Sequence, residues 1–128
     1  MIYVDTSVAL AKLFGEDRRP PDAFWSGMIL SSRLLQYETW TRVNARGLGE
    51  SHAEQIRVLL DGITFIEMHA PALERALEPL PVPVRTLDAM HLATMDFLKQ
   101  QGQPVRLASY DDRLISAARA MDFDIAPL

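Results

Sequence analysis

The sequence predicts an α/β fold, a three-layer α/β/α arrangement with a central, mostly parallel sheet. Two observations lead there. Strand-like segments alternate with helical ones along all 128 residues, the pattern of a parallel sheet covered on both faces. Apolar residues make up 48% and charged residues 23%, a balance that supports a real core and excludes wholesale disorder. No repeat, low-complexity tract or linker divides the chain, so residues 1–128 are expected to form one domain.

Residues 1–5 read as a short strand. Thr6 to Phe14 places Val8, Leu10, Ala11 and Phe14 in a helical pattern. Gly15 to Pro21 is a charged, turn-rich break, after which Asp22 is expected to cap a short helix holding Phe24 and Trp25. Met28–Ser31 is the second strand and Leu34–Arg46 a helix stopped near Gly47 and Gly49. Ser51-His52-Ala53-Glu54 has the form of a capping box and opens a helix to about Asp61. Ile63–Met68 is a strand, Ala72–Glu78 a helix, and Pro79, Pro81 and Pro83 punctuate a loop. Leu87–Gln101 is the strongest helix, Val105–Ser109 a strand, Asp111–Met121 a helix, and Asp124-Ile125 a last strand.

The composition excludes several chemistries. There is no cysteine, hence no disulfide, thiolate metal site or thiol nucleophile. No apolar run is long enough for a bilayer, and Met1–Asp5 has neither a basic nor an apolar leader, so a cytoplasmic setting without membrane contact is expected. Thirteen basic against seventeen acidic residues give a net charge of −4, the wrong sign for holding nucleic acid by global attraction. Eleven of the thirteen bases are Arg, the better fork for phosphate oxygens.

Three acids stand out. Ligands of open parallel sheets bind beyond the carboxyl ends of the strands, where Asp5 and Asp111 both fall. Each is also a natural helix N-cap, and the two roles can coexist. Asp88 opens a helix that is apolar on most of its circumference, so burial is expected. A first-turn dipole offsets only about 0.3–1 kcal/mol of the penalty for a buried carboxylate. Carboxylates that converge without cations repel one another, and a hard cation such as Mg²⁺ or Mn²⁺ resolves this. Such a site suits phosphoryl chemistry. Glu38, one turn before Arg42, reads on its own as a surface residue paired at i,i+4.

In order, the segments Ile2-Tyr3-Val4-Asp5-Thr6-Ser7, Glu38 within Leu34–Arg42, Arg85-Thr86-Leu87-Asp88-Ala89-Met90-His91-Leu92-Ala93 and Ala108-Ser109-Tyr110-Asp111-Asp112-Arg113-Leu114 resemble the PIN-domain nucleases. The resemblance is strongest to the VapC-type toxins of toxin–antitoxin pairs, and it covers essentially the whole chain. It implies that Asp5, Glu38, Asp88 and Asp111 form a Mg²⁺ or Mn²⁺ site that hydrolyses RNA, with Asp5 central. Thr6, Ser7 and Ser109 become candidates for orienting a carboxylate or water, beside their capping role. Family spacing selects Asp111 over Asp112. His91 is expected to be a hydrogen-bonded packing residue, and Arg85 and Arg113 to meet phosphates or neighbouring acids. An antitoxin protein and a homodimer are the implied partners, with Phe24, Trp25 and Trp40 available to such surfaces. The alternatives are a PIN-domain nuclease for RNA processing or decay, and a non-catalytic partner-binding α/β module. A receiver domain would need a Lys at a late strand end, whereas Lys12 and Lys99 fall within helices. A haloacid-dehalogenase-type phosphatase would need an Asp where Ser7 stands.

Overall fold

The computed structural model describes residues 1–128. In chain order its elements are β1 (Ile2–Val4), α1 (Thr6–Leu13), a 3-10 turn (Asp22–Ser26), β2 (Ile29–Ser32), α2 (Leu34–Ala45), α3 (Ala53–Asp61), β3 (Thr64–Ile66), α4 (Ala70–Ala76), α5 (Thr86–Gln100), β4 (Arg106–Ala108) and α6 (Asp112–Ala120). The four strands form one sheet in the order β3-β2-β1-β4, every pair parallel. Tyr3 stands opposite Leu30 on one side and Leu107 on the other.

Alternation along these strands splits the core in two. Tyr3, Leu30 and Leu107 point to one face, where they meet Leu92, Met95 and Leu98 of α5 and Leu114, Ala117 and Ala118 of α6. Val4, Ile29 and Ala108 point to the other, against Val8 and Ala9 of α1, Leu35 of α2 and Leu59 of α3. The three-layer α/β/α arrangement expected from the sequence is therefore present, and it follows from the two-residue period of a strand. Phe24 and Trp25 stack edge to face and pack against the second cluster. Helix α4 lies on α5, and Arg75 Nε ties the two together by donating to Asp96 Oδ2 at 2.7 Å. No helix is long and apolar enough to cross a membrane.

Three local expectations differ from the structure. The capping box does not form, because α3 starts at Ala53 with His52 at its cap, which leaves Glu54 one position short of the box geometry. Ser51 turns back to the Leu48 carbonyl instead, and Glu54 pairs with Arg57. Asp22 lies inside the 3-10 turn, capped by Pro21, and faces Lys12 at 3.7 Å. Asp124-Ile125 contracts to a single bridge, Ile125 to Leu107.

Leu92 is fully buried between the sheet and α5, whereas Leu77 at the end of α4 is 86% exposed. Leu92→Ala is expected to cost about 2–5 kcal/mol in urea unfolding. Leu77→Ser should stay within about 0.5 kcal/mol of the parent.

Candidate active site

The carboxyl ends of β1 and β4 lie side by side, which brings Asp5 next to the loop from Ser109 to Asp111. Asp5 occupies the cap position of α1, but its side chain makes no cap hydrogen bond. It is 5% exposed, and both its oxygens are held by hydroxyls. Ser7 Oγ donates to Oδ1 at 2.6 Å, and Ser109 Oγ donates to Oδ2 at 2.9 Å. Each hydroxyl oxygen in turn accepts a backbone N–H of the following loop: Tyr110 N–H on Ser7 and Asp111 N–H on Ser109, both at 2.9 Å. These N–H bonds direct the hydroxyl protons at the carboxylate. No cation pairs with Asp5. Burial pushes its carboxyl up to about 6, although the hydrogen bonds from the two serines pull the other way.

Glu38 reaches the same region from α2. Its Oε1 accepts from Thr6 Oγ1 at 2.9 Å and lies 2.6 Å from His91 Nε2. The expected surface pair with Arg42 is not made; Glu38 turns inward, with its side chain 20% exposed. His91 is 2% exposed, and its Nδ1 lies 2.7 Å from the Tyr3 hydroxyl, whose oxygen accepts from the Ser32 N–H at 3.1 Å. A carboxylate can only accept, so Nε2 donates to Glu38. Burial raises the Tyr3 hydroxyl far above its ordinary range and keeps it a neutral donor to Nδ1. Glu38 is thus fixed from the core outward, through Tyr3 on β1 and His91 on α5.

Asp88 and Asp111 form the opposite side. Asp88 lies in the first turn of α5 and is largely buried, with its side chain 16% exposed. Burial raises its pKa, and the charges of Asp111 and Glu38 add to that, while Arg85 opposes it. Asp111 caps α6, its Oδ1 accepting from Arg113 N–H at 2.9 Å and Leu114 N–H at 3.3 Å. Its other oxygen faces Arg85 Nη2 at 4.0 Å, while Arg85 Nε stands 3.7 Å from Asp88. Asp112 and Arg113 are exposed. Asp5 and Asp111 lie at the carboxyl ends of β1 and β4, and the charges of Glu38 and Asp111 both reach Asp88.

The profile that describes the PIN domain matches residues 2–120 of this chain. The chain belongs to the PIN-domain family. It is also 30% identical over 129 residues to Ribonuclease VapC47 of Mycobacterium tuberculosis, a match spanning 96% of this chain and 93% of the relative, which places it among the VapC-type members.

In this PIN domain the donor set offered by the four acids is all carboxylate oxygen, which suits a hard divalent cation. No three acidic or histidine side chains are gathered into a ready coordination shell. Tyr3 was missed in the sequence as a site residue. Its apolar surroundings mark it as core, and only a contact 88 residues away shows its second role.

The raised carboxyl of Asp5 makes stability depend on pH. Between its ordinary 3.8 and about 6, the unfolded chain loses this proton first, so stability falls as pH rises. Above that window the penalty is complete, on the order of 3 kcal/mol. Asp5→Asn should remove it. Thermal unfolding is expected to show the variant more stable than the parent near neutral pH, with the gain vanishing below about pH 4.

Proposed function

We propose that this PIN domain is a Mg²⁺- or Mn²⁺-dependent endoribonuclease and the toxin of a toxin–antitoxin pair. The observation that carries this reading is the Asp5 carboxylate: buried, held by two hydroxyls, unpaired by any cation, and joined at the sheet edge by three more acids. A buried charge with no counter-ion is expensive unless something positive is meant to reach it. The likeness to Ribonuclease VapC47 over nearly the full length of both chains supports RNA as substrate. The VapC-type resemblance supports an antitoxin protein and a second copy of the chain as partners.

In this reading Asp5 is the central metal ligand, with Glu38 and Asp88 completing the inner set and Asp111 acting through water. A cation bound there supplies neutralisation of the phosphate oxygens and acidifies water at the site. Ser7 and Ser109 fix both Asp5 oxygens, so that carboxylate does not swing when the phosphate arrives. Thr6 and His91 hold Glu38 by one oxygen, Oε1, and leave Oε2 free. Arg85, 70% exposed and only loosely paired to Asp88 and Asp111, is free to turn one guanidinium edge toward a phosphate.

Asp5→Asn is expected to abolish Mg²⁺- or Mn²⁺-dependent cleavage of RNA, a loss of about a hundredfold or more, while the fold is retained. Calorimetry with Mn²⁺ should show binding to the parent and none to the variant. Ser109→Ala, which frees one Asp5 oxygen, should weaken Mn²⁺ binding by roughly 10–100-fold. Undiminished cleavage by Asp5→Asn removes Asp5 from the mechanism.

A further inference from the structure

A polar pocket of about 270 Å³ adjoins the acid site, and nothing above assigns it a role. Asp17, Arg18, Arg19, Ser109, Tyr110 and Ala126 line it. Ser109 belongs to both places: it lines the pocket, and its hydroxyl holds Asp5 Oδ2. A group seated in the pocket is therefore one residue away from the central carboxylate.

The pocket is built by a reversal of the chain after α1. Gly15 adopts φ +59°, a left-handed conformation that suits glycine. Arg19 Nη1 then donates to the Glu16 carbonyl at 2.8 Å and pins the loop. That places the Arg18 guanidinium over the Tyr110 ring, 4.7 Å from its centroid. Arg18 is exposed, forms no ion pair and makes its one aromatic contact with Tyr110. Its other face and its N–H edge remain for a ligand.

We infer that this pocket is a subsite for one nucleotide of single-stranded RNA flanking the scissile bond, its base stacked on the open face of Arg18. This rests on the ribonuclease reading above. The volume lies below the ~300 Å³ at which small-molecule sites begin, and so fits a single base with its phosphate, not a duplex. A guanidinium plane backed by an aromatic ring is a stacking platform for unpaired bases, and its edge bonds phosphate. The chain carries a net charge of −4, so RNA affinity has to come from local contacts of this kind.

The test uses the full chain with Asp5→Asn, which separates binding from cleavage, and a short fluorescein-labelled single-stranded RNA of random sequence. Adding Arg18→Ala is expected to raise the Kd roughly five- to tenfold by anisotropy. Arg119→Ala, which removes an equal charge elsewhere, should leave Kd unchanged. In the cleaving protein Arg18→Ala should raise KM and keep kcat within about twofold, the mark of a uniform binding contact. Arg18→Lys keeps the charge but not the plane and should behave like Arg18→Ala. Full rescue by Lys overturns the stacking role. So does displacement of RNA by poly-glutamate as readily as by unlabelled RNA, which would make this a plain anion site. Unchanged Kd and KM in Arg18→Ala overturn the subsite while leaving the ribonuclease reading intact. An Asp5→Asn variant that binds no RNA, beside a parent that cleaves none, sinks that reading and the subsite with it.

Discussion

Strand β1 is three residues long and is paired in parallel on both edges, to β2 and to β4. The rest of the structure hangs from that double pairing. It buries Tyr3 and Val4 completely, one into each half of the core. It also ends the strand at Asp5 with neighbours on either side, so the carboxylate emerges inside a crevice. The hydroxyls that hold Asp5 come from the helix after β1 and the loop after β4. Had β1 lain at the edge of the sheet, one of those two donors would be missing and Asp5 would face water.

The same strand organises the second acid. Tyr3 sits on the face toward α5, and its hydroxyl meets the ring of His91, which passes the constraint to Glu38. A side chain in the core thus sets the orientation of one at the surface, with no water needed between them. Asp88 is held less firmly, with Arg85 Nε 3.7 Å away, whereas Asp111 is anchored by one oxygen at the start of α6 and turns the other toward Arg85 at 4.0 Å. The site is stiff at Asp5 and Glu38 and looser at Asp88, where the proposed reaction has to accommodate a phosphate and its water.

The layer arrangement was legible in the sequence because it depends on periodicity, and Tyr3, Leu30 and Leu107 alternate with Val4, Ile29 and Ala108 as a parallel sheet demands. Asp5 and Asp111 were legible as strand-end acids for the same reason. Glu38 was not legible from local pattern, since its partners, Thr6 and His91, lie 32 and 53 residues away; only the family resemblance selected it. The Ser51 box failed because a helix start set one residue later outweighs a motif read by spacing alone. The pocket beside Ser109 joins residues 17–19 to residues 109, 110 and 126, and no local signal in either stretch connects them.

The hydrogen bond from Ser109 to Asp5 spans 104 residues. Strand β1 acquires its β4 neighbour only when residues 106–108 are available, so neither the sheet nor the carboxylate pocket can be finished early. Contacts of such long separation close late in folding. During synthesis on the ribosome, a chain that already carries Asp5, Glu38 and Asp88 still has no serine to seat the first of them. The order of the elements along the chain thus acts as a timing device: Asp5 gains its second hydroxyl only once the chain has been made through residue 109.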